Sequence, residues 1–199
     1  MKIILVLLFS VSFLFSDTQF KNIKEQYFKS YDYEKMGRYE EAIKVLAPLY
    51  QQYPKGYTLN LRFGWLFFLA KKYNDAQKYY KQASLVNSYA LDPRLGLIRI
   101  YLDTANFKKA EMVSYELLKI DYYNYYANLY ATKALIAEKK YKIATTIIEK
   151  MLALYPTDVT YLVQLAKVYK VTNIKYLKTL YENILILDPN NVYVRSYMK

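Results

Sequence analysis

The chain has 199 residues, 54% of them hydrophobic and 23% charged, with only 4 glycines and 5 prolines; this excludes turn-rich sheet or flexible linker as its main content and points to helix. Cys and His are both absent, which excludes thiolate nucleophiles, Ser-His pairs, Cys or His zinc sites and disulfides, so neither enzymatic activity, a metal nor a cofactor is expected. The formal charge of +12 favours acidic partners, yet the basic residues are spread along the chain with no run of five, so a nucleic-acid footprint is poorly supported.

The chain opens with Met1-Lys2, then an apolar run from Ile3 to Phe15 interrupted by Ser10 and Ser12, then Ser16-Asp17. That order is expected of a secretory signal peptide over residues 1–16, directing the chain to the periplasm. The run falls short of the roughly 20 residues a spanning helix needs, and retention at the inner membrane by an uncleaved segment is the alternative. Lipoprotein processing is excluded without a Cys. Losing Lys2, one of 29 basic residues against 17 acidic ones, leaves the remainder at +11, so the basic character belongs to residues 17–199, expected to form one repeat domain.

A period of 34 residues runs through that domain. Ala42, Ala76, Ala110 and Ala144 share it, as do Tyr39, Tyr73, Phe107 and Tyr141, each three residues earlier, and Leu49, Ala83, Leu117 and Met151. The small residue lets paired helices approach closely, and the aromatic fills the wedge between neighbours. The expected helix pairs are 22–36 with 39–53, 57–69 with 74–86, 93–104 with 107–120, 125–138 with 141–154, and 159–172 with 175–187. They define repeats at about 23–56, 57–90, 91–124, 125–158 and 159–189, with a short stub over 190–199. Asp92 before Pro93 reads as a helix cap and first turn, and Pro48 is expected to kink the helix around it. In the fifth repeat Leu177 stands where the small residue belongs, one residue early, so the turn around Thr172-Asn173-Ile174 is shortened. The short stub leaves Leu180, Ile184 and Leu185 as a candidate contact face for a partner or a second copy.

These columns, together with Phe63-Gly64, Tyr80, Gly37 and the closing prolines Pro54, Pro156 and Pro189, resemble the tetratricopeptide repeat over residues 23–189. The resemblance implies an all-α, right-handed α-solenoid of about five antiparallel helix pairs, acting as a protein-interaction scaffold. It also implies a concave groove lined by the first helix of each pair. By position one groove column reads Tyr31, Trp65, Arg99, Lys133 and Lys167; its neighbours contribute Tyr27, Arg62 and Tyr130, with Tyr126 adjacent. The carboxylate-clamp pattern of some members is not reproduced, because Tyr27 and Tyr31 stand in its places. An aromatic groove that turns cationic suits an acidic protein segment, or alternatively an anionic glycan of an envelope-export system.

Tyr occurs 26 times. AT-rich codon usage accounts for that abundance in one reading, and stiff amphipathic contact surface in the other. The cluster Tyr122-Tyr123 and Tyr125-Tyr126 is expected to divide between inter-repeat packing and exposed surface.

Overall fold

The computed structural model describes the backbone of residues 2–197 and the side chains of residues 19–197. The side chains of the expected leader therefore lie outside the described residues. Among the described residues the structure is helical: α1 (Lys2–Lys35), α2 (Tyr39–Gln52), α3 (Tyr57–Leu69), α4 (Tyr73–Val86), α5 (Asp92–Asp103), α6 (Phe107–Leu118), α7 (Tyr125–Ala137), α8 (Tyr141–Leu154), α9 (Val159–Thr172), α10 (Leu177–Leu187) and α11 (Val192–Arg195). Among them no helix is long and apolar enough to cross a membrane. The chain divides into two compact units, Met1–Ser88 and Tyr89–Lys199, so the first two repeats form one and the rest the other.

The first unit packs α1 to α4 in succession. Ala42, Leu46, Leu49, Leu59, Phe63 and Leu66 form its core, with Ile23, Tyr27, Tyr50, Phe67 and Tyr79 against it. Full burial of such side chains stabilises by about 1.5–3 kcal/mol each. Tyr79 faces Phe63 at 5.0 Å and Phe67 at 5.2 Å between ring centroids, and Tyr50 meets Phe63 edge-on at 5.3 Å, an aromatic cluster outside the 34-residue aromatic column. Helix α2 continues through Pro48, which is exposed.

In the second unit each helix packs on the next, and α5, α7 and α9 also pack directly on one another. Ala110 and Ala144, like Ala42 and Ala76 in the first unit, are fully buried, as the close approach of paired helices requires.

Two features recur at the repeat period beyond the expected columns. Gly37, Lys71, Ala105 and Lys139 all have positive φ, between 54° and 72°, at the turn inside their hairpins. The following amide in each case bonds the carbonyl five residues back: Arg38 to Tyr33, Lys72 to Phe67, Asn106 to Tyr101 and Lys140 to Leu135, all at 2.8–2.9 Å. This is the left-handed helix stop that glycine favours, and three of its four instances use an L-residue. The fifth repeat lacks it: Asn173 has φ −153° and a 3-10 turn spans Ile174–Tyr176, which is how that repeat runs one residue short.

The second feature is a pairing of volumes inside the hairpins. A Cβ on Gly64 would lie 2.6 Å from Tyr80 Cδ1. One repeat on, the same two register positions hold Ile98 and Ser114, then Thr132 and Ile148, and with the one-residue slip Ala166 and Tyr181; all are buried. A large residue on one helix is thus matched by a small one on the other.

Two expectations are corrected. Helix α5 begins at Asp92, and the residue before it, Leu91, is already helical, so Asp92 is a first-turn residue and caps nothing. The C-terminal stub does not leave Leu180 and Ile184 open: α11 folds over them, with Val194 fully buried among Ala166, Leu180, Tyr181 and Ile184. The stub starts as a repeat does. Asn191 Oδ1 accepts from the Val194 amide at 3.2 Å, just as Asn124 accepts from Ala127 at 3.0 Å and Asp158 from Tyr161 at 3.1 Å.

Candidate functional site

In the first unit, two of the four residues expected in the groove, Trp65 and Arg62, bond a carboxylate that the sequence pattern did not single out, and a third, Tyr31, packs on Arg62. Trp65 Nε1 donates to Glu34 Oε1 at 2.7 Å. Arg62 pairs with Glu34 Oε2, donates to Ser30 Oγ at 3.0 Å, and lies 3.9 Å from the centroid of the Tyr31 ring. With 6% of its side chain exposed, Arg62 is an internal tie between α3 and α1 and presents no charge to solvent. Tyr27, the fourth, lies elsewhere; with Ile23, Leu49, Tyr53 and Leu59 it lines an apolar cavity of about 270 Å³. A second cavity of about 390 Å³ opens between Tyr31, Glu34, Lys35, Tyr39, Trp65 and Leu69.

In the second unit the expected cations form a row across α5, α7 and α9. Arg99 Nε donates to Tyr130 Oη at 2.7 Å, and the same ring has the Arg99 guanidinium and the Lys133 ammonium each 5.8 Å from its centroid. Tyr130 is 8% exposed and wedged between them, whereas Tyr126, its neighbour at 6.1 Å, is 49% exposed. Burial lowers the pKa of Lys133, and the positive Arg99 adds to this while Asp103 opposes it. Burial likewise lowers that of Lys167, and Lys133 adds to it. The row is therefore close enough for each cation to feel the next. Among the described residues neither Lys133 nor Lys167 makes a salt bridge, although Lys29, Lys35, Lys72, Lys140 and Lys178 do.

The row continues onto residues the repeat columns missed. Lys167 Nζ is 5.5 Å from the Tyr193 ring centroid, and Lys170 Nζ is 3.8 Å from that of Tyr197. Counting from the cap residues, Tyr193 of α11 and Tyr197 in the turn just after it occupy the register of Tyr126 and Tyr130 of α7. The one-residue slip in the fifth repeat hides that match from a strict 34-residue count; counting from Asn124, Asp158 and Asn191 would have found it.

The tyrosine cluster divides as expected between packing and surface, with the weight on the surface. Tyr125 Oη donates to Asp158 at 3.0 Å, and Tyr161 Oη donates to the Tyr125 carbonyl at 2.8 Å. Tyr122 and Tyr123 remain more than half exposed, clipped by Lys150, whose ammonium lies 3.9 Å from the Tyr122 ring centroid and donates to Asn128 Oδ1 at 2.6 Å. Asn128 in turn donates to the carbonyls of Tyr122 and Asn124, a turn clamp that Asn60 repeats two repeats earlier on Pro54 and Gly56. Among the described residues no group of Asp and Glu could hold a metal ion.

No family model matches the sequence, and no curated protein matches it. Solved structures do match the fold. A tetratricopeptide repeat protein from Parabacteroides merdae superposes with a TM-score of 0.77 at 18% identity, covering 87% of this chain and 70% of that one. YrrB, described as a TPR protein with an unusual peptide-binding site, gives 0.67 at 11% identity over 85% of this chain and 88% of its own. A thermophilic TPR protein of Thermus thermophilus gives 0.65 at 14% identity over 87% and 95%. In fold, then, the chain is a tetratricopeptide-type helical-repeat protein.

Proposed function

We propose that this chain is an exported, non-enzymatic scaffold that holds an acidic segment of a partner protein against the cation row of α5, α7 and α9. The observation that carries the proposal is the pair Lys133 and Lys167, on adjacent repeats, partly desolvated, without a salt bridge among the described residues, and bracketed by Tyr130 and Tyr193. Cations held in this way give charge-assisted hydrogen bonds to a carboxylate without first breaking a salt bridge; Lys167 Nζ has only a long contact of 3.5 Å to Gln164 Oε1 to give up. A fold built of stacked hairpins offers such a row along several helices at once, and YrrB shows by its description that a protein of this fold can bind a peptide. Export is supported by the basic start and apolar run of residues 2–16, and binding without chemistry by the absence of Cys and His.

The test is affinity capture from the envelope fraction of the source cell with the full chain and with the double variant Lys133→Ala, Lys167→Ala. Each charged hydrogen bond is worth about 1.5–3 kcal/mol, so the double variant is expected to weaken capture by at least about a hundredfold. Undiminished capture would remove the row from the interface, and capture from the cytosolic fraction alone would refute the envelope location. The exposed ring of Tyr126 beside the row also suits an acidic sugar; displacement of the protein partner by soluble alginate would favour that second reading.

A further inference from the structure

We infer that the cavity between α1, α2 and α3, lined by Tyr31, Glu34, Lys35, Tyr39, Trp65 and Leu69, is a binding site for a neutral sugar, separate from the cation row. Its volume of about 390 Å³ is within the range of small-molecule sites, about 300–1,000 Å³, and leaves room for a monosaccharide or disaccharide. Three of its six lining residues are aromatic. Two of these planes are set before any ligand arrives: Trp65 stacks on Phe68 at 5.8 Å and is tied through Nε1 to Glu34, and Tyr31 lies against the Arg62 guanidinium. Walls fixed in advance reduce the entropy lost on binding.

The polar atoms choose among ligand classes. Glu34 spends one lone pair of Oε1 on Trp65 and one of Oε2 on Arg62, which leaves further acceptor capacity on both oxygens. Lys35, 78% exposed at the rim and 3.7 Å from Asp32, supplies donors. A cationic guest is disfavoured, because Arg62 already neutralises Glu34 and Lys35 stands at the mouth. An anionic guest brings only acceptors against the remaining lone pairs of Glu34, which themselves only accept. An aliphatic side chain would seal that carboxylate's remaining lone pairs under hydrocarbon, which is unfavourable. A neutral sugar satisfies every group: its C–H face lies on the aromatic walls, its hydroxyls donate to Glu34, and its oxygens accept from Lys35.

Trp65 is the sole tryptophan, so its emission reads this cavity directly. The full chain is titrated with glucose, maltose, cellobiose and N,N′-diacetylchitobiose, and in parallel with choline and N-acetyl-leucinamide. At least one sugar is expected to shift the emission saturably, with a dissociation constant in the millimolar range. Tyr31→Ala, which removes one wall, should weaken that binding about tenfold, and Lys35→Ala should weaken it less, with both variants melting cooperatively. No shift with any sugar, a shift with choline or N-acetyl-leucinamide only, or unchanged sugar binding by Tyr31→Ala would each overturn the inference. Because Lys133 and Lys167 are untouched in these variants, the result is independent of the partner-binding proposal.

Discussion

Replacing Gly64 by Ala should destabilise the protein, although the same change inside an ordinary helix stabilises it. Ala gains up to about 1 kcal/mol over Gly in helix propensity. Here the new methyl would lie 2.6, 2.7 and 2.9 Å from three atoms of the Tyr80 ring, which is 3% exposed and has no free space to retreat into. Overpacking of this kind costs about 1–3 kcal/mol, and with three ring atoms closer than 3.0 Å the cost here falls in the upper half of that range, so the net change is a loss of about 1–2 kcal/mol. For a chain of this length that corresponds to a melting temperature lower by roughly 2–8 °C. Urea and thermal unfolding followed by circular dichroism would measure it. The double change Gly64→Ile with Tyr80→Ser, which installs the buried pair found at Ile98 and Ser114, should recover much of what Gly64→Ile alone loses. A Gly64→Ala variant as stable as the parent, or more stable, would refute the reasoning that opposing volumes set the hairpin spacing.

Ala105, with φ at 54°, should accept Gly with a gain of roughly 0.5–1 kcal/mol in urea unfolding, because relief of the left-handed strain exceeds the added freedom of the unfolded chain; Ala42→Gly, mid-helix and buried, should lose stability instead. Alkaline pH should act on binding and stability in opposite senses at first. Lys133 and Lys167 titrate below the usual 10.5, so capture of an acidic partner should weaken before exposed lysines discharge, while the unfolded chain, binding more protons in that window, makes these two groups contribute stability as pH rises. Tyr161 behaves conversely: burial raises its pKa above the usual 10, so the unfolded chain ionises first and stability falls from about pH 10 upward, a loss that Tyr161→Phe should reduce in pH-dependent urea unfolding.

The helical hairpins could be read from the sequence because packing repeats at fixed intervals: Ala42, Ala76, Ala110 and Ala144 each sit where two helices touch, and all are fully buried. The left-handed turn at Lys71, Ala105 and Lys139 could not, since its signal is a glycine and only Gly37 carries one. The reach of the repeats into the C-terminal stub was hidden by the shortened turn at Ile174–Tyr176, which moves Tyr193 and Tyr197 one residue off the column of Tyr126 and Tyr130. Arg62 shows a different limit. Register places a side chain on a helix face but says nothing about its partner, and a single nonperiodic carboxylate, Glu34, turns an expected groove cation into an internal tie. Arg99, Lys133 and Lys167 lie in one row as their spacing implies, because α5, α7 and α9 pack directly on one another.

Site-specific photocrosslinking in the source cell tests the central claim most directly. A benzophenone side chain at position 126, exposed beside Tyr130, is compared with one at position 112, where Met112 is 54% exposed on α6, a helix that carries none of the row's cations. Binding at the cation row predicts a discrete protein adduct from position 126 that disappears when Lys133 and Lys167 are Ala, and none from position 112. Equal adducts from both positions, or an adduct from position 126 that survives loss of the two lysines, would contradict it.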